Sequence, residues 1–224
     1  MQQFMADKLE YGKFYHVYNR GNNYENIFTC EEDYLKFLNN VEIYISPVAD
    51  VISWVLLKNH FHFMVYIKNE AEIGYVDSKN SKSRDSSKKW SVYFTNNGNQ
   101  ELLLKPQPVE MFKHFFNSYS RWFNIRHHRL GSLFIKNFER KPVDNIEYYK
   151  NIIVYIHKNP VKHGFVKHQI EYPWSSYLGN KQNTIEDFWK SKFVPYFENY
   201  DDFVKAHECS DPTIENSIND IIVE

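Results

Sequence analysis

The chain has 224 residues and a formal net charge of −1, enough for one domain with attachments or two small ones and for a real core. No run of about 18 apolar residues occurs, so no membrane helix is expected. The start, MQQFMADKLEYGKFYHVYNRG, has no basic stretch followed by an apolar one, which argues against a secretory signal and for a cytoplasmic protein. The charge is uneven: residues 1–178 hold 23 basic and 18 acidic side chains, and residues 179–224 hold 4 and 10. A mildly basic body with an acidic tail is compatible with a nucleic-acid partner, although such asymmetry most often reflects solvated faces. Aromatics reach 18%, and the two cysteines, Cys30 and Cys209, have neither metal-type spacing nor the look of a disulfide framework.

In chain order, KFYHVYNRG is an aromatic and β-branched run ending at Gly21, a strand followed by a turn. CEEDYLKFLNNVEIYI places Tyr34, Phe37, Leu38, Val41 and Ile45 at helical spacing behind an acidic first turn, and Pro47 ends that helix. VADVISWVLL and HFHFMVYI are two strands joined by a tight turn at Lys58-Asn59. Residues 69–107 break the pattern; the Ser/Lys-rich stretch DSKNSKSRDSSKKW predicts an insertion that is mobile or ordered only by a partner.

VEMFKHFFNSYSRWFNIRHHR is a second helix, with Met111, Phe115, Tyr119 and Trp122 along one face and a basic end. GSLFIKNFER predicts a further strand after Gly131. DNIEYYKNIIVYIHKN is a third helix, capped by Asp144 or Asn145 and expected to end near Lys158 or Asn159 because Pro160 follows. The order predicts an α+β fold, a central antiparallel sheet with helices packed on one face.

Alternation along a strand puts His60 and His62 on one face and Phe61 and Phe63 on the other, the histidine Cα atoms about 7 Å apart. Two such imidazoles either converge on a divalent ion or hydrogen-bond to neighbours on a half-exposed face; a metal site needs a further ligand from elsewhere. The third helix offers Tyr155 and Asn159, four apart and so on one face. Asn159 supplies an oxygen for a hard cation. The Tyr155 phenol, with an ordinary pKa near about 10, is a weak nucleophile unless activated, and a helix tyrosine is commonly a packing residue. Tyr148 and Tyr149 on the same helix are rival candidates.

The combination of NHFHFMV with YIHKNPVKHGFV, whose tyrosine lies about 95 residues after His60, resembles the REP-associated tyrosine transposases of the His-hydrophobic-His single-tyrosine superfamily. YHVYNRGNN, GSLFIKNFER and YPWSSY (residues 172–177) resemble further family segments in the same order, and the resemblance covers about residues 10–178. It implies a ferredoxin-like or RNA-recognition-like arrangement and a transposase domain over 1–178, with the insertion at 69–107 and an acidic extension over 179–224. It implies that His60 and His62 hold a divalent metal, magnesium or manganese, completed by Asn159, where relatives often carry Gln. Tyr155 is then the nucleophile of a DNA strand transferase that cuts single-stranded DNA beside hairpins through a 5′-phosphotyrosine.

Candidate DNA contacts are Arg20, Arg121, Arg126, Arg129 and Arg140, with Lys79, Lys82, Arg84, Lys88 and Lys89 of the insertion as further phosphate contacts. Relatives include homodimers with sites built from two chains as well as monomers, and the implied location is cytoplasmic and nucleoid-associated. Two other readings carry the same residues: a hairpin-binding protein without catalysis, and a metal-dependent phosphodiesterase that uses water.

Overall fold

The computed structural model describes residues 8–77, 92–93, 103–135, 138–178 and 197–208. Strand β1 (Phe14–Arg20) leads through helix α1 (Glu31–Asn40) to the hairpin of β2 (Ala49–Leu57) and β3 (His60–Ile67). Asp33 fixes the start of α1: its Oδ2 accepts from Thr29 N at 2.7 Å, Thr29 Oγ at 2.8 Å and Cys30 N at 3.2 Å, satisfying amides that have no partner within the helix. A π-helical turn, Val41–Ile45, closes the same segment.

Helix α2 (Pro108–Arg126) begins with proline at its first turn, where a missing N–H costs nothing. Strand β7 (Glu139–Pro142) and helix α3 (Ile146–Lys162) follow. The main sheet has the order β2-β3-β1-β7 and is antiparallel throughout. That order, reached by strand-helix-strand-strand-helix-strand connections, is the ferredoxin-like arrangement.

Both sheet faces are covered, which differs from the expectation of helices on one face. Phe61, Phe63 and Val65 pack with Phe37 of α1 and Met111, Phe112 and Phe115 of α2. On the other face Met64, Val55 and Leu57 pack with Ile152, Ile153 and Ile156 of α3. The cause is visible in β3, which is buried almost without alternation because the residues flanking His62 are apolar on both faces.

Three more expectations need correction. The stretch GSLFIKNFER does not form a strand directly after Gly131; Phe134 makes an isolated bridge to Gly21, and the regular strand starts at Glu139. Helix α3 does not stop before Pro160 but runs through it to Lys162. Proline's fixed φ is compatible with helix, and Asn159 and Pro160 are both buried, so packing overrides the bias on the preceding residue. The stop is Gly164, at φ 70°. The insertion also has structure: β4 (Tyr75–Asp77), β5 (Val92–Tyr93) and β6 (Leu103–Leu104) form a separate three-stranded sheet. Its predicted phosphate contacts Lys79, Lys82, Arg84, Lys88 and Lys89, like Cys209, lie outside the described residues.

The segment 172–177 lies along β2, the edge of the main sheet. Trp174 O accepts from Leu56 N at 2.9 Å, and Tyr172 Oη donates to Leu56 O at 2.8 Å. Ser176 Oγ accepts from Trp54 N at 2.8 Å. These bonds occupy an edge that would otherwise present unpaired backbone groups. Helix α4 (Tyr200–Glu208) packs on α3 through Phe203 and His207. Among the described residues no helix is long and apolar enough to cross a membrane.

Candidate active site between the sheet and helix α3

His60 and His62 project from β3 toward α3. His60 Nδ1 donates to Asn59 Oδ1 at 2.8 Å, because a carbonyl oxygen can only accept. In the neutral ring its Nε2 then carries the lone pair, and it faces Asn159 Oδ1 at 3.3 Å. Two acceptors so close suit a cation near both; the opposite amide orientation would instead donate Nδ2–H to the same nitrogen. As it stands, Asn159 Nδ2 is buried without a hydrogen-bond partner among the described residues.

His62 is 2% exposed. Its ring lies 5.2 Å from that of His60 and 5.5 Å from that of Tyr155, which meets it edge-on. Burial above all, then the neighbouring histidines and Lys162, pushes its pKa well below the usual value and keeps it neutral. Its Nε2 is buried and has no partner among the described residues. Tyr155 is 5% exposed, and the Lys162 ammonium stands 5.2 Å above its ring.

The four residues that the sequence pairs by spacing thus come together within one chain. The rival tyrosines have other neighbours. Tyr149 packs edge-on against Phe14 at 4.8 Å, and Tyr148 is half-buried on the side of Tyr18.

Sequence reasoning missed His16. In β1 it is fully buried, and its Nε2 lies 3.0 Å from His62 Nδ1. Tyr18, opposite His62 in the register, stacks on His16 at 4.8 Å. Burial, then Glu139 and Tyr148, pushes the Tyr18 hydroxyl up to about 12.

The candidate DNA-contacting arginines do not form one cluster. Arg20 pairs with His60 in the β1–β3 register and caps the Tyr24 ring at 4.7 Å. Arg121 is exposed on α2. Arg126 is paired with Glu32 and Arg129 with Glu25, both ion pairs tying the end of α2 to the segment around α1. Arg140 lies over Phe138 at 4.7 Å.

A second group, also unforeseen, brings Cys30, Asp33 and His127 together with ligand atoms within 4.8 Å of one another, a set that could hold a metal ion. The carboxylate is already satisfied. Burial tends to raise the Asp33 pKa, but bonds from His127, Thr29 and Cys30 outweigh it and hold it below the usual range. Arg126 Nε stands 3.9 Å away. The group is a self-sufficient helix cap whether or not an ion joins it.

No protein-family model matches the chain, and no curated protein matches it. Among solved structures the chain is similar to a REP-associated tyrosine transposase bound to a REP hairpin, at 16% identity and a TM-score of 0.48, over 79% of this chain and 83% of that one.

Proposed function

We propose that the chain is a single-strand DNA strand transferase of the transposase type, with Tyr155 as nucleophile and His60, His62 and Asn159 as ligands of a divalent cation. The observation that carries this reading is the meeting of His60, His62, Asn159 and Tyr155 between β3 and α3: His60 Nε2 lies 3.3 Å from Asn159 Oδ1, and the His62 ring lies 5.2 Å from that of His60 and 5.5 Å from that of Tyr155. Two imidazoles and an amide oxygen are a mixed donor set: the oxygen suits manganese or magnesium, the imidazole nitrogens suit borderline transition metals, and manganese is the better match of the two. Bound there, the ion supplies charge stabilisation to the scissile phosphate.

The chain's own part is nucleophilic displacement. Tyr155 Oη forms a bond to phosphorus as its proton leaves, the bond from phosphorus to the 3′-oxygen breaks, and that oxygen departs as a 3′-hydroxyl. One phosphate ester replaces another, so a second 3′-hydroxyl can reverse the exchange without ATP. Helix α3 holds Tyr155 and Asn159 one turn apart, so the nucleophile and a ligand move as one body. Lys162, over the Tyr155 ring, and Arg20, beside His60, are the cations that would meet the DNA backbone there. The partner is single-stranded DNA carrying a hairpin, and the location that follows is the cytoplasm, at the nucleoid. Residues 1–178 form the transferase unit, and 179–224 extend it. All four residues come from one chain, so the chemistry does not require a second copy.

The test is a denaturing gel after incubation with labelled hairpin DNA and manganese. A covalent adduct is expected from the natural chain and none from Tyr155→Phe. Cleavage that persists without an adduct in Tyr155→Phe would establish the water-using phosphodiesterase. Tight hairpin binding with neither product would establish the binding protein.

A further inference from the structure

We propose that His16 is a positioning residue for this site: its Nε2 accepts the Nδ1–H of His62 and thereby leaves the His62 Nε2 lone pair for the divalent ion. The inference rests on the metal reading above and adds a residue to it. An imidazole that binds a metal through one nitrogen must carry its proton on the other, and that N–H needs an acceptor, most often a carboxylate, a carbonyl or water. At His60 the acceptor is Asn59 Oδ1, at 2.8 Å. At His62 the only group within hydrogen-bond reach of Nδ1 among the described residues is another imidazole, His16 Nε2, at 3.0 Å.

Both rings are enclosed, and burial keeps each uncharged. The pair therefore shares two protons over four nitrogens, with one in the bond between the rings. If His62 donates, the second proton sits on His16 Nδ1. If His16 donates, it sits on His62 Nε2, which then has no lone pair to offer. Both outer nitrogens lack hydrogen-bond partners among the described residues, so neither arrangement is locked by the protein. Lys141, opposite His16 in the β1–β7 register, adds positive charge that favours a lone pair on the outer His16 nitrogen. An ion at His62 Nε2 would reverse that preference: the proton there would be given up to water, the shared proton would cross from His16 Nε2 to His62 Nδ1, and His16 Nδ1 would take one proton from water. The two rings lie only 21° from coplanar orientation with centroids 5.2 Å apart, and Tyr18 packs against both, 4.8 Å from His16 and 5.6 Å from His62, so packing limits rotation of donor and acceptor.

The experiment is nitrogen-15 NMR of histidine-labelled protein with and without magnesium, alongside manganese titration followed by water-proton relaxation. With magnesium, His62 is expected as the Nδ1–H tautomer bonded to His16, and His16→Phe is expected to weaken manganese binding about 10- to 100-fold. His16→Gln, which keeps an acceptor, should recover most of that affinity. The NMR measurement needs no substitution and so stands even if His16→Phe fails to fold. His62 found as Nε2–H with magnesium bound, or His16→Phe folded and binding manganese as tightly as the natural chain, would overturn the role of His16 while leaving the metal site in place. A natural chain that binds neither ion would overturn the metal reading and this inference with it.

Discussion

Lowering the pH from 7 to 5 should destabilise this protein steeply, because four histidines are buried in neutral form. Two are His16 and His62. The others, His157 and His207, join α3 to α4 through a chain of bonds with one consistent direction. His207 Nδ1 donates to Phe203 O at 2.9 Å, so its Nε2 must accept from His157 Nδ1 at 3.0 Å. His157 Nε2 then accepts from Ser176 Oγ at 2.8 Å, and Ser176 Oγ accepts from Trp54 N. A proton added to His207 Nε2 sets donor against donor, and one added to His157 Nε2 turns the Ser176 hydroxyl toward Trp54 O, 3.2 Å away, and leaves a charge in the interior.

Burial lowers the pKa of His16 and of His207 to about 3 and holds His62 and His157 well below the usual value. The unfolded chain takes up protons below pH 6.5 and the folded chain does not, so stability is lost as pH falls from about 6.5 toward 3. For an unfolded pKa near 6.5 the loss between pH 7 and 5 is about 2 kcal/mol per histidine. Four give about 8 kcal/mol at most, and about 4 after allowance for relaxation around the rings, against a typical total of about 5–15 kcal/mol. Asp33 and Asp202 are held below the ordinary carboxylate range and titrate outside this window. Urea unfolding at pH 7, 6 and 5, followed by tryptophan fluorescence and extrapolated linearly, measures the change. An unfolding free energy at pH 5 within about 1 kcal/mol of that at pH 7 would refute the assignment of these rings as neutral and inaccessible.

Two further outcomes follow from single features. Gly164→Ala should cost about 1–2 kcal/mol, read as a lower melting temperature, because φ is 70° while a Cβ there would meet nothing within 4 Å; the cost is backbone strain alone. Manganese at about 100 times its Kd should stabilise the natural chain by about 2.7 kcal/mol, and chelation or His60→Ala should abolish that gain while leaving the metal-free unfolding transition in place. A manganese-independent melting curve would count against the site.

The parts of the site that could be read in advance obey short-range rules. Alternation alone puts His60 and His62 on one face of β3, with Phe61 and Phe63 on the other, and a helical repeat alone puts Tyr155 beside Asn159. Where reading failed, a longer-range partner decided. The end of α3 was set by packing around Asn159 and Pro160 rather than by the proline. The strands of the insertion are two or three residues long, too short to show any period. The arginines at the end of α2 were legible as charge, but their pairing with Glu32 and Glu25, about a hundred positions away, was not, because it joins distant segments.

His16 is the most telling case. In KFYHVYNRG, alternation places His16, Tyr18 and Arg20 on one face and Tyr15 and Val17 on the other, yet both faces of β1 are largely buried, so apolar character could not say which met α3. Only the register settles it: Tyr18 stands opposite His62 and Arg20 opposite His60, which turns the His16 face toward the two β3 histidines. A slip of one residue would have put Val17 there and left His62 Nδ1 without an acceptor. The third imidazole therefore meets His62 through pairing between strands, across 46 positions, a contact that no local pattern encodes.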